Sequence, residues 1–102
     1  MKLSIKDRMS IVQMLPQSSS LTEMVDILDI VKKVKIYKEE MDRIQYEEMD
    51  GRITWNPSLE VELDVELTFE QIKILKESVS RLDREKKVNP SNLDICLKIN
   101  SL

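Results

Sequence analysis

The chain has 102 residues, with 16 basic and 19 acidic side chains, one glycine, one cysteine and no histidine. Without histidine it lacks the side chain most used as a general base near neutral pH, which is also the commonest metal ligand. One cysteine excludes an internal disulfide and the usual structural zinc sets, and one glycine excludes the P-loop and dinucleotide-binding fingerprints.

The length sets a single small domain over residues 1–102, which buries only about 60–65% of its unfolded surface. Ser4 followed by Asp7 reads as a helix start, with Ile5, Met9 and Val12 at helical spacing and Pro16 ending the segment. After "PQSSS", Ser20 and Glu23 form an S-x-x-E capping box. Met24, Ile27, Leu28, Val31 and Val34 then make one broad apolar face of a helix over 21–35. Glu23 in its first turn and Lys32, Lys33 and Lys35 near its end match the helix dipole, and Asp29 and Lys33 are spaced for an i,i+4 pair. A short helix over 38–44 would turn Met41 and Ile44 inward.

Asp50-Gly51 between two β-compatible runs predicts a hairpin with a type I′ turn, which needs positive φ at both positions. Asn56-Pro57-Ser58 makes a second turn, and "LEVELDVEL" (59–67) supplies a third strand. Thr68 and Gln71 form another capping box, with Leu67 and Ile72 at the staple positions. Phe69, Ile72, Leu75, Val79 and Leu82 trace one face of the helix that follows. A last helix opens at "VNPSNL", capped by Asn89 with Pro90 in its first turn, and buries Leu93, Ile95 or Cys96, Leu97 and part of Ile99. The expected fold is α+β: N-terminal helices, a three-stranded antiparallel meander, and two C-terminal helices packed on the sheet.

Charge is segregated. Residues 45–67 carry seven acidic side chains against Arg52 alone, whereas the segments on either side are slightly basic. In "LEVELDVEL" the acids Glu60, Glu62, Asp64 and Glu66 share one face of the predicted strand. The plainer reading is a wet face that discourages edge pairing. The sharper one is a dock for a basic partner, since same-sign clusters steer association. "KKVKIYK" (32–38) reads as the Lys-rich end of a helix rather than a phosphate site, and Cys96 as a small buried hydrophobe. Helices followed by a hairpin resemble a winged helix in layout. There "KEEMDRI" and "EEMDGR" would set carboxylates against phosphates, which opposes nucleic-acid binding. The apolar runs are far below the roughly 20 residues of a membrane span, and "MKLSIKDRMS" lacks the apolar centre of a signal peptide.

"IKDRMSIVQMLPQSSSLTEMVDILDIVKKV" followed by "YKEEMDRIQYEEMDGRITWN" resembles a group of small, functionally uncharacterised bacteriophage and prophage proteins. The resemblance rests on Leu15-Pro16 at a helix end, on Tyr37, Glu39 and Glu40 as an aromatic-x-Glu-Glu element, and on Thr54-Trp55-Asn56. It implies phage origin and brings no catalytic residues, cofactor or metal. The expected function is a non-enzymatic accessory protein in the host cytoplasm, acting through protein–protein contact, with a homo-oligomer as one form. The alternatives are a virion structural or assembly protein and a winged-helix-like transcriptional regulator.

Overall fold

The structure is a computed structural model describing residues 1–102. Its N-terminal strand β1 (Lys2–Leu3) leads directly into helix α1 (Ile5–Met14). Ser4 caps α1 through a reciprocal box. Its hydroxyl accepts from the Asp7 backbone N–H at 3.1 Å, and the Asp7 carboxylate accepts from the Ser4 N–H at 3.1 Å. Helix α2 (Leu21–Val34) starts at Ser20, whose hydroxyl accepts from the Glu23 N–H at 3.2 Å; only this half of the expected box forms. Helix α3 (Lys38–Arg43) is a single short element.

Strands β2 (Glu47–Met49) and β3 (Arg52–Thr54) form the predicted hairpin, with Met49 opposite Arg52. Asp50 and Gly51 both have positive φ, 52° and 77°, as a type I′ turn requires. A Cβ on Gly51 would meet nothing within 4 Å, so substitution there acts through backbone strain rather than a clash. Gly51→Val is expected to cost about 1–2 kcal/mol, because a β-branched residue fits positive φ poorly. Thermal melts check this; an unchanged midpoint would contradict it.

The third strand does not join the hairpin. After a 3₁₀ turn (Pro57–Leu59) capped by Asn56, only Leu63–Asp64 are regular strand, β4, and they pair antiparallel with β1. Two separate two-stranded sheets therefore replace the expected meander. Together they involve 10% of the residues, against 56% in helices, so the fold is α+β with helices in the majority. Helix α4 (Phe69–Arg84) carries the predicted Thr68–Gln71 box. Helix α5 runs over Leu93–Asn100. Asn89 does not cap α5 directly. Its side chain accepts from the N–H groups of Ser91 and Asn92, closing a turn that delays the helix to Leu93.

Helices α1, α2, α4 and α5 enclose the main core, with Leu3 and Val65 sealing it from the β1–β4 pair. A smaller cluster of Ile5, Ile36 and Ile44, covered by Met9, Met41, Tyr46 and Trp55, lies under α3 and the hairpin. The helical phases differ from the sequence expectation in a consistent way. In α1 the buried row is Ile5, Arg8, Ile11 and Met14, while Val12 is exposed. In α2 Ile30 is fully buried and Leu28 is exposed. In α4 Leu75 and Val79 are buried as expected, but Gln71, Ile74 and Ser78 complete the face and Phe69 is 79% exposed. In α5 Ile95, Cys96 and Ile99 are buried, whereas Leu93 and Leu97 point outward. In α1, α2 and α4 a polar residue or an unselected isoleucine takes an inward place, and in these helices and α5 a large apolar residue is left outside.

Candidate functional site

The acidic comb is not one continuous strand face. Glu60 is half-buried and accepts a hydrogen bond from the Trp55 indole Nε1 at 2.8 Å, which pins the 3₁₀ turn to the hairpin's end. Asp64 accepts from the Met1 amino group at 3.2 Å, beside the Val65 carbonyl, which the same group reaches at 3.0 Å. Glu62 is exposed and its charge helps hold the Lys98 ammonium in its protonated form; Glu66 is exposed. From Leu63 to Leu67 the alternation has the expected phase, with Val65 buried, but Val61 is 60% exposed. Two of the four carboxylates thus have internal partners, and the set does not form a uniform acidic plane.

Most other polar groups with unusual surroundings hold helices together. Arg8 is almost wholly buried. Its Nε donates to the Val34 carbonyl at 2.8 Å, and its Nη2 donates to the Lys35 carbonyl at 2.7 Å. The guanidinium also grips Glu40 in a bidentate pair at 2.6 and 2.9 Å. Arg8 thereby satisfies carbonyls orphaned at the end of α2 and ties them to the first turn of α3. Sequence reasoning passed over it because an arginine reads as surface. The usable signal was its position, midway along the row Ile5, Arg8, Ile11, Met14.

Asp7 is buried and accepts from Lys98 Nζ at 2.6 Å, joining α1 to α5. This bond holds the Lys98 ammonium above the usual lysine range. The predicted Asp29–Lys33 pair forms at 3.1 Å and is extended by buried Gln71. Gln71 Nε2 donates to Asp29 at 2.6 Å, and Gln71 Oε1 accepts from Lys33 at 2.9 Å. The bonds from Gln71 first, and Lys33 second, hold the Asp29 carboxyl below its ordinary value. A lowered folded-state pKa favours the folded state above the ordinary carboxylate range. That contribution is lost as pH falls through the folded value. Asp29→Asn is therefore expected to lose less stability on acidification than the parent below about pH 4. Paired denaturation curves across that range check it, and parallel curves would count against it.

The Cys96 thiol is buried, and burial raises its pKa, away from a reactive thiolate. The largest concavity, about 600 Å³, is an open depression beside Met1, Lys2, Glu62 and Lys98. No three or more Cys, Asp or Glu side chains are grouped to hold a metal ion, and no helix is long and apolar enough to cross a membrane. The elements that would serve as recognition helix and wing, α3 and β2–β3, expose Glu39, Asp42, Glu47 and Glu48.

Of the large apolar side chains left outside the core, Phe69, Val61 and Leu97 among them, three fall in a row on α2. Leu21, Val25 and Leu28 are 85%, 64% and 55% exposed, on the side of the helix opposite Ile27, Ile30 and Val34. Their spacing of 4 and 3 aligns them along one ridge, continued by exposed Lys32. Sequence reading placed Leu28 in the core face, so the ridge was hidden in an all-round apolar helix. Comparison with known proteins gives no match: no family model, no curated protein and no solved structure is significantly similar to this chain.

Proposed function

We propose that this chain is a phage-encoded accessory protein that works by protein–protein contact inside the host, without catalysis, and that the outward ridge of α2 is its contact face. The observation that carries this reading is the exposure of Leu21, Val25 and Leu28 on a well-capped helix whose other side is fully used by the core. Exposed aliphatic side chains in a contiguous row mark interaction surfaces more often than chance placement does. An amphipathic helix offering anchors at i, i+4 and i+7 is a recurrent recognition mode. The phage assignment rests on the resemblance carried by Leu15-Pro16, Tyr37-x-Glu39-Glu40 and Thr54-Trp55-Asn56. The buried thiol and the absence of histidine support a role without chemistry. The acidic residues Glu62 and Glu66, which have no internal hydrogen bond, are free to steer a basic partner toward the protein, a secondary role in this reading.

The double variant Leu21→Gln/Leu28→Gln tests the contact face. Glutamine is a good helix former, and both positions are exposed, so stability should change by no more than about 0.5 kcal/mol. Partners recovered with the tagged protein from infected cells should be lost. Unchanged recovery with an unchanged melting temperature would remove the ridge from consideration.

A further inference from the structure

We infer that the turn between α2 and α3 carries a binding site for a short single-stranded nucleic acid, with a base stacked on Tyr37 and phosphates held by Lys32, Lys35 and Lys38. A lysine run at a helix end ordinarily serves the carbonyls left open there. Here other groups take those carbonyls. Val34 and Lys35 accept from the buried Arg8 guanidinium at 2.8 and 2.7 Å. The Lys32 carbonyl accepts from the Tyr37 hydroxyl at 3.3 Å, and the Val31 carbonyl from the Lys35 N–H at 2.9 Å. Neighbouring acids are also engaged: Asp29 by Gln71 and Lys33, and Glu40 by Arg8 and Arg43. Lys32, Lys35 and Lys38 are exposed, and no ion pair in the structure includes any of them. They are cations that the fold does not use.

Tyr37 supplies what a lysine cluster alone lacks. Its ring is 56% exposed and makes no capping bond to α3. The hydroxyl contact to Lys32 and the Lys35 ammonium, 5.6 Å from the ring centroid, fix the ring against the end of α2. An aromatic ring set among cations is how proteins hold single strands: the ring stacks on a base and the cations follow the backbone. An acidic peptide would use the charges and leave the ring idle. The surroundings set the form of the ligand. Glu39 and Asp42 are exposed on α3, and Glu47, Glu48 and Asp50 are exposed on the hairpin. They would repel the second backbone of a duplex, whereas a short single strand can lie on the turn alone.

Fluorescence anisotropy of a labelled oligothymidylate of about eight nucleotides, titrated with the full chain at about 50 mM salt, should give a Kd of about 10⁻⁴–10⁻⁵ M. With three cations engaged, log K should fall against log salt with a slope of about −2. Lys32→Gln/Lys38→Gln should flatten that slope to about −0.7. Tyr37→Leu should weaken binding at least about fivefold, while Tyr37→Phe stays within about twofold of the parent. All of these side chains are exposed, so the melting midpoint should not move. Leu21→Gln/Leu28→Gln should bind as the parent does, which sets the site apart from the α2 ridge. No binding up to about 1 mM protein, or Tyr37→Leu equal to the parent, would overturn the inference. So would loss of binding in the ridge variant, or a duplex bound as tightly as the single strand. Polyglutamate bound as tightly as the oligonucleotide overturns it too, and makes an acidic peptide the ligand of these lysines.

Discussion

Glu40→Ala is expected to lower the unfolding free energy by about 3–5 kcal/mol, the usual cost of leaving a buried charge without its partner. Arg8 is 2% exposed, and its two bonds to Glu40 are the only charge neutralisation it has; the Val34 and Lys35 carbonyls supply dipoles but no charge. The loss should spread beyond α3. Arg8 joins three elements, and the satellite core of Ile5, Ile36 and Ile44 is small, so the hairpin should loosen along with α3. For a domain of this size the melting midpoint should fall by more than about 10 °C. Arg8→Met in the Glu40→Leu background removes both charges, so it should recover part of the loss but not all of it, because the two carbonyls remain unpaired. Amide exchange in residues 36–55 is the sharper reading. If Glu40→Ala leaves those amides as protected as before, the Arg8–Glu40 pair is not what holds the lobe.

That pair also shows where sequence reasoning stopped. Helix starts were legible because they are local: Ser4 with Asp7, and Thr68 with Gln71, sit three residues apart and cap as their spacing says. The hairpin was legible for the same reason, since Asp50-Gly51 carries its own backbone requirement. What could not be read was set at a distance. β4 pairs with β1 across a separation of 60 and 62 residues through two positions each, too few to leave a periodic trace, so "LEVELDVEL" suggested a longer strand in a different sheet. Helix phase failed where polar side chains enter the core. Arg8, Gln71 and Ser78 each occupy an inward position because a specific acceptor satisfies them: the Val34 carbonyl for Arg8, the Asp29 carboxylate for Gln71 and the Ile74 carbonyl for Ser78. A periodicity count assigns those positions to solvent and rotates the helix accordingly. The α2 ridge was missed by the same arithmetic: Leu28 was counted inward, and the exposed row disappeared into the core. The acidic comb was visible as a pattern, but its use by Trp55 and by the chain's amino group depends on a turn and a strand pairing that only the fold supplies.

Leu75→Ala is expected to cost about 2–5 kcal/mol, and a matched control on the same helix makes the value informative. Leu75 has no exposed surface and lies in the main core. Truncation there removes apolar burial and leaves a cavity lined by groups on more than one helix, which backbone anchored by the Thr68 cap cannot easily collapse. Phe69 sits on the sequence-predicted face with Leu75, yet it is exposed at the first turn of α4. Phe69→Ala should therefore stay within about 0.5 kcal/mol of the parent, although it deletes the larger side chain. The contrast tests the phase of α4 rather than apolarity in general: the sequence face predicts two large losses, and the folded helix predicts one. Chemical denaturation of both variants decides between them. Comparable losses at the two positions would mean that Phe69 is covered in solution, which would move the search for a contact surface from α2 to the start of α4.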